Sequence, residues 1–306
     1  MTDADETRAL LPAMAEARDR FMELVGEIRP ELHRYCARMT GSVFDGEDAV
    51  QETLAKAYYA LGQMREPPNL RPWLFRIAHN TAMDFLRRYE RKNVELVSDL
   101  PDRAEAEEAG VDPELVEAAL SAFVELPPVQ RSALILKDVL AQSLEEAATT
   151  MGTTVGAVKA ALSRARANIA RTPRAAVAHS AREAPAKEQA TLRRYVDLFN
   201  ERDWDALRAL LADEARLDQV SLVQRRVVDA RYFDRYAKVL ETEEIRAQAG
   251  YVDGVAAIAM FRPPSSELPA YFVLLESEGD RISRIRDFRY VEYIAGDARF
   301  VPLASR

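Results

Sequence analysis

Residues 94–118 (VELVSDLPDRAEAEEAGVDPELVEA) hold nine acidic side chains against one basic, and Pro101, Gly110 and Pro113 interrupt them. Like charges at this density repel, and Pro and Gly end helices, so the stretch is expected to be a solvated tether between packed elements. Its charge of −8 equals the net charge of the whole 306-residue chain. That average argues against nucleic-acid binding, which needs basic surface. Its segregation removes the objection, because residues 19–93 carry +1 and residues 119–174 carry +3. A second break lies at 172–187 (TPRAAVAHSAREAPAK), Ala-rich with two prolines. The chain therefore divides into a leader (1–18), a block at 19–95, an acidic linker (96–113), a block at 114–171, a linker (172–187) and a block at 188–306.

The first block has helical periodicity. Leu24, Ile28, Leu32, Tyr35, Cys36 and Met39 recur at three- and four-residue steps. Asp45 is placed to cap a helix running to Leu61. After Pro67-Pro68, Leu74, Ile77, Ala78, Ala82 and Phe85 form one stripe, while Trp73, Arg76, Asn80, Asp84, Arg87 and Arg91 fall on another. In the second block, Pro127-Pro128 suits a helix start near Val129. Ser143 and Glu146 form a capping box, Gly152 a turn, and Thr153 a cap for the helix that follows. That is a helix-turn-helix layout, and its second helix carries Lys159, Arg164 and Arg166. The third block changes class. Helices at 188–200 and 203–212 (capped by Asp203) and at about 229–240 precede strands at Val255–Phe261, Tyr271–Glu276 and Ile282–Tyr293, with an Asp253-Gly254 turn. An α+β domain with an antiparallel sheet is expected there.

One cysteine, Cys36, excludes an internal disulfide framework and a Cys-based zinc site. No run approaches eighteen apolar residues, and MTDADETRAL lacks a signal pattern. The expectation is a soluble cytoplasmic protein with no membrane association, metal or cofactor.

Three segments carry a family resemblance. FDGEDAVQETLAKAYYAL is similar to the polymerase-binding helix of extracytoplasmic-function sigma factors of bacterial RNA polymerase, of the sigma-70 family. RPWLFRIAHNTAMDFLRR resembles their promoter-melting, −10-reading helix. ELPPVQRSALILKDVLAQSLEEAATTMGTTVGAVKAALSRAR resembles their −35-binding domain. The three stand in family order across the acidic tether. The third block, through LRRYVDLFNERDWDALRALLADEARLD and the sheet, resembles the SnoaL-like cone fold. The implied architecture is multidomain, with two all-α sigma domains (a region 2 bundle and a region 4 helix-turn-helix) and a C-terminal α+β cone domain.

The resemblance assigns roles residue by residue. Asp48, Gln51, Glu52 and Lys56 would dock on core RNA polymerase, at the β′ clamp, with the β flap as a further contact. Asn80 and Asp84, with the loop Gln63–Leu70, would receive the −10 strand; an amide offers both donor and acceptor to a flipped base. Arg76, Arg87, Arg88, Arg91 and Lys92 would hold its phosphates. Thr153, Thr154, Lys159, Ala160, Ser163 and Arg164 would meet the −35 element. The acidic linker would thread toward the polymerase active-site and RNA-exit channel.

The third block lacks His and Cys, so an enzyme there would need a carboxylate such as Asp213 or Asp218; surface carboxylates are the favoured reading. Tyr195, Phe199, Trp204, Tyr236, Phe261, Phe272 and Phe288 suit core packing. Catalysis is not expected; a small-ligand pocket or intramolecular docking on the sigma domains, modulating them in cis, stays open. Two rivals remain: a helix-turn-helix regulator acting without polymerase, and a DNA-binding module fused to a SnoaL-like enzyme.

Overall fold

The computed structural model describes residues 21, 23, 25–64, 68–94, 123, 125–171, 184–220, 225–228 and 232–304, without the side chains of 90–94 and 225–228. The leader, the acidic linker and Leu24 lie outside these residues. The chain divides into two compact units between His179 and Ser180.

The first unit is helical: α1 (Arg29–Thr40), α2 (Val43–Leu61), α3 (Leu70–Val94), α4 (Pro128–Leu134), α5 (Leu144–Met151) and α6 (Val155–Arg171). Gly41, at φ 82°, ends α1 in the left-handed region that glycine enters without steric cost. The cap of α2 is Ser42, not Asp45: its hydroxyl accepts from the backbone N–H of Phe44 and Asp45. Asp45 sits in the first turn, where a carboxylate still favours the positive helix end. Gly46 lets α1 and α2 touch, since a Cβ there would lie 2.6 Å from the Ala37 backbone. Arg29 and Glu47 form an ion pair of 2.5 Å buried between the same two helices. After α4 the chain makes one widened π-helical turn, Ile135–Val139, closed by Leu140 N–H to Ile135 C=O (2.9 Å).

The expected capping box forms: Glu146 N–H donates to Ser143 Oγ, and Ser143 N–H donates to the Glu146 carboxylate. Gly152 turns at φ 62°. The next cap is Thr154 rather than Thr153; its hydroxyl accepts from Ala157 N–H (3.2 Å), so α6 begins at Val155. The two sequence blocks do not build separate cores. Leu32, Tyr35, Leu54, Leu74 and Ala78 from the first join Leu134, Ile135, Ala147, Val158 and Leu162 from the second in one buried cluster.

The second unit opens with α7 (Ala186–Glu201) and α8 (Trp204–Ala209), the latter capped by Asp203 as expected. The strands are β1 (Leu211–Val220), β2 (Arg225–Val228), β3 (Arg246–Val252), β4 (Val255–Phe261), β5 (Tyr271–Glu278), β6 (Arg281–Asp287) and β7 (Phe300–Pro302). Helix α9 (Tyr232–Val239) precedes β3, and α10 (Tyr293–Asp297) follows β6. The described strands make one sheet in the order β2-β1-β6-β5-β4-β3-β7.

Three expectations change here. The sheet is mixed, because β1 pairs parallel with β6. The second opening helix ends at Ala209, and Leu211 and Ala212 belong to β1. The last long strand stops at Asp287 instead of Tyr293; Asp287 turns inward, and its carboxylate accepts the Arg289 backbone N–H, which breaks the strand. The Asp253-Gly254 turn is as read, with φ 50° and 76°, the conformation a two-residue hairpin requires. The core lies between the sheet and the helices, filled by Tyr195, Phe199, Phe233, Tyr236 and Tyr271. Gly250 lets the Phe300 ring lie on β3.

Candidate nucleic-acid interface

Three helix surfaces of the first unit carry the residues singled out from the sequence. On α6, Lys159, Ala160, Ser163 and Arg164 are exposed at steps of one, three and one residues, which places them on one face. Val158, Ala161, Leu162 and Ala165 bury the opposite side. Thr153 and Thr154 are exposed at the helix start. Lys159 and Arg164 have no carboxylate partner among the described residues. Arg166, equally basic in the sequence, is engaged elsewhere: it grips Asp138 through both carboxylate oxygens (2.9 and 3.1 Å). It ties α6 to the π-helical turn, and nothing in the local sequence separates it from Arg164.

On α3, Arg76 and Asn80 are exposed one turn apart. The Arg76 guanidinium lies 3.9 Å from where a Cβ on Gly152 would stand, so it borders the helix-turn-helix. Trp73 packs against the core, as expected. The arginines farther along α3 differ from Arg76. Arg87 pairs with Asp84, and that hydrogen bond holds the Asp84 carboxyl below its usual range. Arg88 reaches Glu52 on α2 (3.3 Å) and the Asp84 carbonyl. The side chains of Arg91 and Lys92 lie outside the described residues. Of the loop before α3, Gln63, Met64 and Asn69 are exposed, and 65–67 lie outside the described residues.

On α2, the four docking candidates are close together but internally engaged. Glu52 pairs with Lys56 (2.8 Å), and Lys56 also donates to Thr81 Oγ1 on α3 (3.2 Å). Burial pushes the Glu52 carboxyl up, but Lys56 and Arg88 outweigh it and leave it lowered. Gln51 donates to Glu47 (3.2 Å). Asp48 is half-buried on the same helix.

Sequence reasoning missed the polar groups between the blocks. Tyr35 Oη (α1), His79 Nδ1 (α3) and Ser132 Oγ (α4) lie mutually within 2.8–3.0 Å, all buried. Burial lowers the His79 imidazole to about 4, so the ring is neutral at physiological pH. Arg131 donates to the Met39 carbonyl (2.5 Å) and the Leu126 carbonyl (3.1 Å). Tyr and His at helical core spacing read as packing residues, and no local signal pairs them with a Ser fifty residues away.

In the second unit, Asp213 is a surface carboxylate beside Arg281. Asp218, expected at the surface, is instead buried in β1, where Arg216 (2.7 Å) and Arg284 (2.8 Å) close on its carboxylate. Burial raises its carboxyl, and the two arginines outweigh that and hold it low. Asp287 carries the unusual environment: it is fully buried, and Tyr232 and Tyr236 donate to Oδ2 (3.1 and 3.0 Å). Burial raises its carboxyl. Tyr236 and Tyr271 hydroxyls are 3.1 Å apart, which extends this network. A groove of about 770 Å³ runs between α7 and β3, lined by Arg193, Arg194, Asp197, Gln248 and Leu303 among others. Among the described residues no group of three His, Cys, Asp or Glu could hold a metal ion, and no helix is long and apolar enough to cross a membrane.

Comparison with known proteins follows the same division. Residues 24–92 match the family described as Sigma-70 region 2, and residues 117–169 match Sigma-70, region 4. The ECF RNA polymerase sigma factor SigG of Mycobacterium tuberculosis is 31% identical over 307 aligned residues, covering 89% of this chain and 82% of that protein. SigE of Mycolicibacterium smegmatis is 31% identical over 149 residues, covering 47% of this chain and 58% of that protein. Among solved structures, the sigma factor RpoE with the anti-sigma factor NepR from Bartonella quintana is 26% identical, covers 49% of this chain and 94% of its own, and has a TM-score of 0.39. Mycobacterium tuberculosis SigJ covers 89% of this chain and 98% of its own at 17% identity, with a TM-score of 0.33.

Proposed function

This chain belongs to the ECF RNA polymerase sigma factors, which direct promoter-specific transcription, and on that premise we propose how its surfaces divide the work. The exposed face of α6 enters the major groove of the −35 element. Arg164 and Lys159 supply the cations for guanine edges and phosphates, and the short Ala160 and Ser163 let the helix come close. Thr153 and Thr154 meet a phosphate at the helix start. Asn80 reads a melted −10 base, with Arg76 on the adjoining phosphate. Arg87, Arg88, Arg91 and Lys92 serve the same strand, and Asp84 orients Arg87. Asp48, Gln51, Glu52 and Lys56 face the polymerase β′ clamp, where acidic groups select a basic partner; region 4 meets the β flap.

The observation that carries this reading is the contrast on α6. Lys159 and Arg164 have no carboxylate partner among the described residues, while Arg166, seven residues on from Lys159 along the same helix, is held by Asp138. A polyanion is the complement such a face fits. The second unit acts in cis, by docking or through a small ligand, and needs no catalytic step. The protein works in the cytoplasm beside the polymerase.

Run-off transcription with core polymerase over a genomic promoter library tests the assignment; absence of specific start sites overturns it. Tight, specific duplex binding without polymerase would favour a free-standing regulator. Truncation near Ala186 tests the cis role, which fails if full and truncated chains behave alike on several promoters.

A further inference from the structure

We propose that the groove between α7 and β3 binds an amphipathic monocarboxylate, a small organic acid with an apolar tail. The inference rests on the small-ligand form of the cis role proposed above; it names the site and the class of ligand.

The groove is a seam at the side of the sheet unit, not its interior. That interior is filled by the rings of Tyr195, Phe199, Phe233, Tyr236 and Tyr271. The seam has a volume of about 770 Å³, within the usual size of a small-ligand site. Short side chains leave it open, Ala190 from α7 and Ala247 and Ala249 from β3.

Its lining divides by chemistry. Leu198 and Leu303 are half-buried and give it apolar surface. Arg193 and Arg194 supply two guanidinium groups against one carboxylate, Asp197, so the lining is net positive. Among the described residues neither arginine has a carboxylate partner. Arg193 donates to the Ala304 carbonyl (2.9 Å), which holds its guanidinium at the groove, and Arg194 is exposed. Gln248 adds a neutral donor. Its Oε1 accepts from Arg246 (3.0 Å), and Arg246 is fixed in turn by the Pro264 carbonyl (3.0 Å) and by the Phe261 ring (4.2 Å). That leaves the Gln248 NH2 for a ligand oxygen.

Guanidinium forks beside an apolar wall complement a carboxylate with a hydrocarbon tail. The single charge of such an acid balances the surplus of the two arginines over Asp197. A phosphate dianion would exceed it and meet Asp197 with repulsion. The groove does not suit an added strand. The β3 carbonyls along it are engaged already: Ile245 by Arg202 (2.9 Å), Ala247 by the Asn200 amide (3.0 Å) and Ala249 by the Leu303 N–H (3.0 Å). The Ala247 N–H donates to Asn200 Oδ1 (2.9 Å). Recognition therefore falls to side chains and not to backbone pairing.

Calorimetry on the full chain with decanoate, kept below its micelle concentration, tests the site. Saturable binding is expected, with decanol about tenfold weaker and no binding of acetate or inorganic phosphate at the same concentrations. Arg194→Ala should weaken decanoate about tenfold, the worth of one charge-assisted hydrogen bond. Asp197→Asn removes the opposing charge and should tighten it about threefold. Ala190→Trp, at an exposed position, should block binding by filling the groove while its charges stay in place. Absence of saturable binding, equal binding of decanol or phosphate, weaker binding by Asp197→Asn, or undiminished binding by Arg194→Ala or Ala190→Trp would each overturn the site. Run-off transcription separates this proposal from the cis role beneath it. A response to decanoate that Ala190→Trp loses supports both. Binding with no response overturns the small-ligand form of the cis role and leaves the site standing. A truncation effect without decanoate binding overturns the site alone.

Discussion

Residues 21–171 and residues 184–304 handle charge in opposite ways. The helical unit leaves Arg76, Lys159 and Arg164 exposed and without carboxylate partners among the described residues, while its central polar junction is made of neutral groups. The sheet unit does the reverse. Arg216 and Arg284 close on Asp218, Arg262 pairs with Glu243 and Glu292, and Arg289 pairs with Glu243. Its interior carries an ionisable carboxyl, Asp287, among tyrosine hydroxyls. An unpaired surface cation keeps its Coulomb attraction for an incoming phosphate, whereas a paired one must first give up its partner. The comparison therefore separates the exposed cations of α3 and α6, suited to a polyanion, from the arginines around Asp218 and Glu243, whose charges are spent within the fold.

Four measurements can break or sharpen that contrast. The largest effect is expected from Lys159→Ala with Arg164→Ala. Two groove contacts at about 1–3 kcal/mol each should lower holoenzyme affinity for a −35 duplex roughly a hundredfold, read by fluorescence anisotropy, with a shallower salt slope. An unchanged affinity would place the DNA face elsewhere.

Next, Asp218→Asn should destabilise the sheet unit by about 2 kcal/mol, since it removes charge-assisted bonds to two arginines. Thermal unfolding should show the loss in that unit while the helical unit keeps its midpoint. The wild-type Asp218 carboxyl is held low, so its contribution is present above the usual carboxylate range and is lost as pH falls through its folded value.

Asp287 predicts the opposite sign. Burial raises its carboxyl, so its contribution is complete in acid and is lost as pH rises through the raised value. Replacing it with Asn should flatten the decline in Tm of the sheet unit as pH rises above the usual carboxylate range; an unaltered slope would show that another group titrates.

The smallest effect is expected at Glu52. Glu52→Gln frees Arg88 from an exposed ion pair worth at most about 1 kcal/mol. Single-strand DNA affinity of the free protein should rise no more than about fivefold, while binding to core polymerase falls. A rise in both would remove Glu52 from the docking face.

Several of these residues were legible as residues but not as states. Lys159, Arg164 and Arg166 look alike in the chain, and only the fold places Asp138 beside the third. Asp45 and Thr153 were reasonable caps by residue type, but Ser42 and Thr154 occupy the position where the hydroxyl meets the free N–H groups. Asp287 lies within a run that alternates like a strand, and nothing in Ile282–Tyr293 announces that its carboxylate turns inward to two tyrosines from α9.

Local information decided the element types, the capping box at Ser143, the turns at Gly152 and Asp253-Gly254, and the family. Each depends on residues within a few positions, where periodicity and backbone preference act directly. Tertiary structure alone decided that the two helical blocks share a core, that β1 runs parallel to β6, and which cations stay free. These outcomes depend on groups brought together across 28 to 97 residues of chain. Their energies arise from burial and charge pairing, which exist only once the chain has closed on itself.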